Sequence, residues 1–148
     1  MIQLDTNPLL RYANPLDADH RLVLDVFDYY KTLQTDLCIV PQNLYEFWTA
    51  ATRPTSVNGL GFTAEEARKS LDHFVSRFHF IPDSAAICPV WESLVVQYDC
   101  KGKVAHDARL VAAMKVHGLN SILTFNTVDF ARYPDIAVID PRTVLPAS

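Results

Sequence analysis

The sequence predicts an α/β fold, a three-layer α/β/α sandwich with a mainly parallel central sheet, formed by a single domain over residues 1–148. Short apolar runs typical of buried strands alternate with longer stretches in which apolar residues recur every three or four positions. A chain of 148 residues has room for one hydrophobic core. Hydrophobic residues make up 49% of it, with 4 Gly and 9 Pro, so disordered and low-complexity classes are excluded.

The first part of the chain predicts two units of a strand followed by a helix. Asp5 comes directly after a predicted three-residue strand, in which Gln3 lies between two apolar residues. The Thr-Asn-Pro that follows Asp5 is typical of a helix start. Glu46 lies in the first turns of the next helix, opened by Pro41 and Asn43. The predicted elements are strand 2–4, a helix that starts within residues 5–8, helix 20–34, strand 37–40 and helix 44–51.

The second part continues the alternation after a turn-rich segment. Residues 52–62 predict an exposed eleven-residue loop or flap. Residues 63–66 match a helix capping box, and an apolar stripe at helical spacing follows it. The stripe comprises Ala67, Leu71, Phe74, Val75 and Phe78. The remaining predictions are strand 80–82, a helix beginning between 84 and 89, helix 104–117, strand 121–125, a turn or short helix 126–130, and strand 136–139.

Composition excludes several classes of protein. The three cysteines are widely spaced and form no CxxC pair, so they predict buried or inert thiols rather than disulfides or a zinc site. A net charge of -4 argues against binding long nucleic acid by phosphate neutralisation alone. No apolar run is long enough to cross a membrane and no export signal begins the chain, so we expect a cytoplasmic protein.

Four acidic residues lie where a parallel sheet would gather them. Sites in such sheets form beyond the carboxyl ends of the strands. Asp5 ends the first strand and Asp129 follows the strand ending near Phe125, while Glu46 and Asp107 begin helices adjoining two other strands. Four carboxylates brought together repel one another unless a cation neutralises them, and oxygen ligands of this kind favour Mg²⁺ or Mn²⁺.

Each of these acids also has an ordinary structural explanation. Asp5 could be only a helix cap, and Asp107 in a first turn would favour the helix dipole. Asp129 is a common turn acid, and Glu46, which lies between two aromatic residues, could face solvent.

The basic residues near Asp107 also allow more than one interpretation. His106 is either a surface residue or a neighbour that supports the site. Arg109, with Lys101, Lys103 and Lys115, forms a solvated face that could also guide phosphates.

Other enzyme signatures are missing from the sequence. It contains no GxxxxGK, GxGxxG, GxSxG or HExxH pattern, which excludes phosphate-loop hydrolases, Rossmann enzymes, serine esterases and zincins. An aspartyl-phosphate phosphatase is disfavoured because Asn7 stands where a second Asp would be expected.

Four short segments contain these acids: LDTN at 4–7, NLYEF at 43–47, VAHDARLVAA at 104–113 and LTFNTVDF at 123–130. Their order and spacing resemble the PIN-domain family, and specifically its VapC-like toxin ribonucleases. The turn-rich loop at 52–61 is similar to that of one branch of the group, so the resemblance covers nearly the whole chain.

The resemblance implies a metal-dependent endoribonuclease that leaves 5′-phosphate and 3′-hydroxyl ends. Asp5 and Asp107 would be direct ligands of one or two Mg²⁺ or Mn²⁺ ions, while Glu46 and Asp129 would act through water; in the family the fourth acid aligns with either Asn126 or Asp129. Thr6, Asn7 and Thr124 would hold waters or carboxylates by hydrogen bonds.

The resemblance also implies partners: an RNA substrate, a small antitoxin protein and a second copy of the chain in a homodimer. The abundance of apolar residues in the helices between 17 and 77 independently favours a homodimer. The leading hypothesis is therefore the RNase toxin of a toxin-antitoxin pair. The alternative is a catalytically inactive module that keeps the fold and binds only a protein partner.

Overall fold

The computed structural model describes residues 1–147, which form five strands and seven α-helices. The strands are β1 (Ile2–Leu4), β2 (Leu37–Ile39), β3 (His79–Phe80), β4 (Ser121–Leu123) and β5 (Ala137–Ile139). The helices are α1 (Thr6–Ala13), α2 (His20–Thr32), α3 (Pro41–Thr52), α4 (Ala64–Arg77), α5 (Ile87–Gln97), α6 (Val104–Val116) and α7 (Thr127–Phe130). Short 3-10 helices add Thr55–Val57 and Pro141–Thr143.

The five strands form one sheet in the order β3-β2-β1-β4-β5, and every neighbouring pair is parallel. The chain adds β2 and β3 on one side of β1 and then returns to add β4 and β5 on the other side. The strand order therefore reverses between β1 and β4. In doubly wound sheets such a reversal opens a crevice at the carboxyl ends of the two strands.

Side chains that alternate along the strands divide the core between the two faces of the sheet. Leu37 and Ile39 of β2 pack on one face with helices α1 to α4, whereas Cys38 packs on the other face with α5 and α6. In β4, Ile122 and Leu123 divide in the same way. The predicted three-layer sandwich is thus confirmed, and its middle layer is wholly parallel.

Helix termini follow the sequence signals closely. The Asp5 side chain caps α1 by accepting from the Thr6 N–H at 2.8 Å. At the start of α4, Thr63 and Glu66 form the predicted capping box, each side chain accepting from the other residue's N–H at 3.1 Å. One residue of the predicted apolar stripe of α4 does not face the core, because Val75 is 45% exposed.

The loop after α3 is held against the helix and is not a free flap. Three of its N–H groups donate to carbonyls in the last turn of α3 or directly after it: Leu60 to Ala50, Phe62 to Ala51, and Gly61 to Arg53, at 2.9 to 3.3 Å. These carbonyls have no partner within the helix. The loop therefore satisfies them and fixes the end of α3.

Several predicted boundaries shift by a few residues. Helix α2 ends at Thr32 because Gln34 adopts a left-handed conformation, with φ of 57°. Pro89 lies in the first turn of α5, where its missing N–H costs no helical hydrogen bond. None of the helices in residues 1–147 is both long and apolar enough to cross a membrane.

Candidate active site

The site begins where β1 and β4 end side by side. Asp5 follows β1 and Thr124 follows β4, and the Thr124 hydroxyl donates to Asp5 Oδ2 at 2.7 Å. The Asp5 backbone N–H continues the sheet by donating to the Leu123 carbonyl at 3.0 Å. Asp5 is only 9% exposed, and Thr124 is fully buried. Sheet pairing therefore fixes the first predicted carboxylate.

Glu46 is tied to the same corner of the fold through Thr6. The Thr6 hydroxyl donates to Glu46 Oε1 at 2.8 Å, and the Thr6 N–H donates to Asp5 Oδ1 at 2.8 Å. Glu46 belongs to α3, while Asp5 and Thr6 form the start of α1. One threonine thus holds two of the predicted site acids from segments forty residues apart.

Asn43 is the buried centre that aligns these segments. Its side-chain oxygen accepts from the Val40 N–H at 2.9 Å and from Gln3 Nε2 at 3.0 Å. Its amide donates to the Leu4 carbonyl at 3.0 Å and to the Thr6 hydroxyl at 3.3 Å. Asn43 is fully buried, so its polar atoms must find hydrogen-bond partners within the protein. The four contacts supply those partners.

Asn7 links the start of α1 to the segment that follows β4. Its amide donates to Asp5 Oδ2 and to the Thr124 hydroxyl, both at 3.3 Å, and its side-chain oxygen accepts from the Phe125 N–H at 3.1 Å. Asn126 contributes through its backbone, because its N–H donates to Thr124 Oγ1 at 3.0 Å while the residue is exposed.

Asp107 reaches the site from the first turn of α6. Gln42 Nε2, in the first turn of α3, donates to the His106 carbonyl at 2.8 Å and so holds α6 against α3. Burial raises the pKa of Asp107 to about 6, and the negative charges of Asp5, Asp129 and Glu46 add to the effect. Lys103 alone among the principal neighbours opposes it.

The pKa of Asp5 is raised as well, and burial is the main cause. Hydrogen bonds from Thr124 and the Thr6 N–H work in the opposite direction, because they stabilise the charged carboxylate. Glu46 and Asp129 add repulsion. Asp129 is therefore close enough to two of the other acids to affect their protonation.

The four carboxylates lie near one another without enclosing a common point. Within residues 1–147, no three Asp, Glu, His or Cys side chains are close enough to hold a metal ion in the conformation observed. Their chemistry nevertheless fits Mg²⁺ or Mn²⁺: the donors are all carboxylates, and burial with mutual repulsion raises the pKa of both Asp5 and Asp107. A cation among them would relieve that repulsion.

Some supporting residues were not expected from the sequence. Gln3 interrupts an apolar strand, and the sequence gives no reason to expect support from it. Its amide nevertheless binds the Leu4 carbonyl at 2.8 Å together with Asn43, so it braces the strand beneath Asp5. Gln42 was also missed. The only signal was a pair of amide residues, Gln42 and Asn43, at the start of an otherwise apolar helix.

Other expectations need correction or refinement. Of the predicted buried or inert thiols, Cys38 is buried but Cys88 is exposed, so burial does not make Cys88 inert; all three cysteines are free. Of the predicted basic face, three residues are paired with acids: Lys101 with Asp99, Arg109 with Asp83, and Lys115 with Asp135. Lys103 makes no ion pair within the described part of the chain.

Comparisons with known proteins agree with this architecture. No family model matches the chain. It is 28% identical over 123 residues to Ribonuclease VapC48 of Mycobacterium tuberculosis, a match that covers 77% of this chain and 83% of that protein. Among solved structures, VapBC2 of Rickettsia felis, bound to a promoter DNA fragment, has a TM-score of 0.69 at 18% identity and covers 95% of this chain and 98% of its own.

A second similar structure is VapC20 of Mycobacterium tuberculosis, described as a toxin that cleaves the sarcin-ricin loop. It has a TM-score of 0.60 at 18% identity, over 82% of this chain and 87% of that one. At such identities the structural likeness shows the fold. Together with the sequence match, it confirms the resemblance to VapC-like PIN-domain proteins that the four sequence segments predict.

Proposed function

We propose that this VapC-like chain is a divalent-metal-dependent endoribonuclease and the toxin of a toxin-antitoxin pair. The observation that carries the proposal is the convergence of four acids from four separated segments: burial raises the pKa of Asp107 to about 6, and repulsion from Asp5, Asp129 and Glu46 adds to the shift. Bringing carboxylates together costs free energy because they repel one another. A bound cation offsets that repulsion, so such a cluster is typical of a functional site. The ribonuclease relative supports RNA as the substrate.

In this proposal Asp5 and Asp107 hold Mg²⁺ or Mn²⁺ directly, while Glu46 and Asp129 act through water. When bound, such an ion orients and acidifies a water for attack on a phosphodiester and stabilises charge on the leaving oxygen. Asn126 remains the alternative to Asp129 as the fourth position, although the effect of Asp129 on the pKa of both Asp5 and Asp107 supports Asp129.

The chain's own residues orient the acids before any ion or substrate arrives. Thr124 and the Thr6 N–H each occupy one oxygen of Asp5, which fixes the plane of its carboxylate. The Thr6 hydroxyl does the same for one oxygen of Glu46. Such outer hydrogen bonds fix ligand geometry and account for a large share of metal affinity.

Two partners belong to the proposal. The similar structure from Rickettsia felis is a VapBC complex, which supports a small antitoxin as the partner that silences this chain. A homodimer is proposed because apolar residues remain exposed between 16 and 75: Leu16 at 94%, Leu33 at 53%, Val57 at 57% and Val75 at 45%. A toxin acting on cellular RNA would work in the cytoplasm.

The alternative, a catalytically inactive module that binds only a protein, predicts a different outcome for the same molecule. It requires no ion and no cleavage. The cost of burying Asp5 near other acids favours the enzyme, because a protein-binding groove gains nothing from a buried carboxylate that neighbouring carboxylates repel.

The test is cleavage of RNA by antitoxin-free protein. Wild-type protein is expected to cut RNA with Mg²⁺ or Mn²⁺, to stop in EDTA, and to lose about 100-fold or more of its rate in Asp107→Asn. Asp72→Asn, an exposed acid on α4, is the matched control and should cut normally. Cleavage that is unchanged in Asp107→Asn would refute the proposal.

A further inference from the structure

A groove of about 510 Å³ runs between α3 and the start of α6, directly beside the acidic site. The α3 side is lined by Tyr45, Glu46 and Arg53, and the α6 side by Lys103, His106 and Arg109. We call it the flanking groove. Glu46 belongs to both the groove and the acidic site, so the groove borders that site.

The flanking groove concentrates positive charge in a protein of net charge -4. Arg109 is committed to Asp83 at 3.1 Å and to Gln42 at 3.2 Å. Arg53 and Lys103 make no ion pair within residues 1–147, and both are exposed. Two basic side chains without an ion-pair partner in the described part of the chain, placed at the edge of an acidic site, can attract a polyanion that must approach that site.

Tyr45 supplies an aromatic face to the same groove. It is 66% exposed, whereas Phe47, which lies two residues further along the same helix and on a different face, is fully buried. An exposed ring beside unpaired cations is the combination that proteins use for single-stranded nucleic acid, where bases stack on aromatic rings and phosphates meet basic side chains.

Arg53 is held in place by the loop that follows it. A Cβ added to Gly59 would lie 2.0 Å from the Arg53 carbonyl oxygen and 2.4 Å from the Arg53 Cβ. The loop can therefore close on Arg53 only with glycine at position 59. The Gly61 N–H then donates to the same Arg53 carbonyl at 2.9 Å. This close packing fixes the backbone of Arg53, which directly follows α3.

We propose that the flanking groove binds the single-stranded RNA segment next to the cleaved phosphodiester, with a base stacked on Tyr45 and a phosphate contacted by Arg53 and Lys103. The inference rests on the proposed ribonuclease function and adds to it the side chains that hold the substrate beside the cleaved bond. A base inside a duplex could not lie on Tyr45, so RNA is recognised where it is unpaired.

The test measures binding rather than cleavage. A fluorescein-labelled single-stranded RNA of about 12 nucleotides is titrated with metal-free protein in EDTA, over a range of KCl concentrations, and its anisotropy gives Kd. In Arg53→Gln the slope of log affinity against log salt should fall by about 0.7, the contribution of one phosphate on a single strand. In Tyr45→Leu affinity should fall about tenfold with the slope unchanged.

Two further variants separate charge and position from general damage. Arg68→Gln removes one exposed charge from α4 at a position that does not line the groove, and should leave affinity and slope unaltered. Gly59→Ala, which forces Arg53 to move, should weaken binding in the same direction as Arg53→Gln.

The outcomes distinguish this inference from the proposed function. If wild-type protein cleaves RNA while Arg53→Gln and Tyr45→Leu bind RNA as wild type does, the inference is overturned and the ribonuclease stands. If binding depends on both residues but no RNA is cut, the groove is supported and the ribonuclease is refuted. Equal affinity for a matched duplex would also overturn the inference, because a paired base cannot reach Tyr45.

Discussion

The amide of Asn43 donates to the Thr6 hydroxyl at 3.3 Å, and that hydroxyl donates in turn to Glu46 Oε1 at 2.8 Å. A fully buried residue of α3 thereby orients a carboxylate of the candidate site through a side chain of α1. The geometry of the acids is consequently linked to the stability of the fold, and substitutions at Asn43 should affect both.

Asn43→Ala should lower the free energy of unfolding by about 3 kcal/mol, because it leaves the Val40 N–H without its side-chain acceptor and removes one hydrogen bond each from the buried Gln3 amide and Leu4 carbonyl. Urea unfolding followed by circular dichroism measures the change. Asn126→Ala is the control, since that side chain is exposed, and should change stability by less than about 0.5 kcal/mol. Equal effects of the two substitutions would contradict the account of Asn43.

Thr124→Val should weaken Mn²⁺ binding about tenfold, because the isosteric side chain no longer donates to Asp5 Oδ2 and the carboxylate loses both its orientation and a stabilising hydrogen bond. Thr124→Ser keeps the hydroxyl and should bind Mn²⁺ nearly as wild type does. Titration calorimetry compares the three proteins. An affinity that is the same in the valine and serine variants would show that this hydrogen bond does not support the site.

The stability of the metal-free protein should depend on Asp107. Its pKa is about 6 in the fold against an ordinary 3.8, so between these values the folded chain binds the proton more tightly than the unfolded chain. Its contribution to the free energy of unfolding therefore falls as pH rises from about 4 to about 6, and stays unfavourable above that range.

In EDTA at neutral pH, Asp107→Asn should consequently be more stable than wild type by about 1 kcal/mol, a value reduced for the partial exposure of the group. The difference should vanish below about pH 3, where the wild-type carboxyl is protonated in the folded and the unfolded chain alike. Unfolding midpoints across this pH range give the measurement. A wild-type protein that gains stability relative to the variant as pH rises would have the opposite sign and would contradict the assignment.

The cysteines should differ sharply in reactivity. Burial raises the pKa of Cys38 from 9.0 to about 12, whereas Cys88 is exposed. A pKa higher by three leaves about 1,000-fold less thiolate near pH 8, so Cys38 should stay unmodified by a thiol reagent until the chain unfolds. Cys88→Ser should remove the fast phase seen in the native protein. Rapid native modification of Cys38 would contradict its place in the core.

The order of strands and helices followed from local signals. Short buried runs such as Leu37–Ile39, the cap at Asp5 and the capping box at Thr63 and Glu66 each specify a boundary through neighbouring residues. The exposure of Val75 was not predictable, because a helix stripe shows which residues are apolar but not how wide a face its neighbours cover.

The acids of the candidate site could be predicted from the sequence, but several of the residues that hold them in place could not. The topology of a parallel sheet brings residues that follow strands to one edge, which is why Asp5, Glu46 and Asp107 could be grouped from the sequence. The roles of Gln3, Gln42 and Asn43 could not be predicted, because hydrogen bonds between residues forty or more positions apart depend on the register of β1 against β2 and on the approach of α6.

The most direct test of the central claim is a calorimetric titration of antitoxin-free protein with Mn²⁺ at neutral pH. The account predicts binding by wild-type protein and by the Asp72→Asn control, with affinity at least about tenfold weaker in Asp5→Asn and in Asp107→Asn. No binding at millimolar Mn²⁺, or the same affinity in all four proteins, would show that these carboxylates do not share a cation.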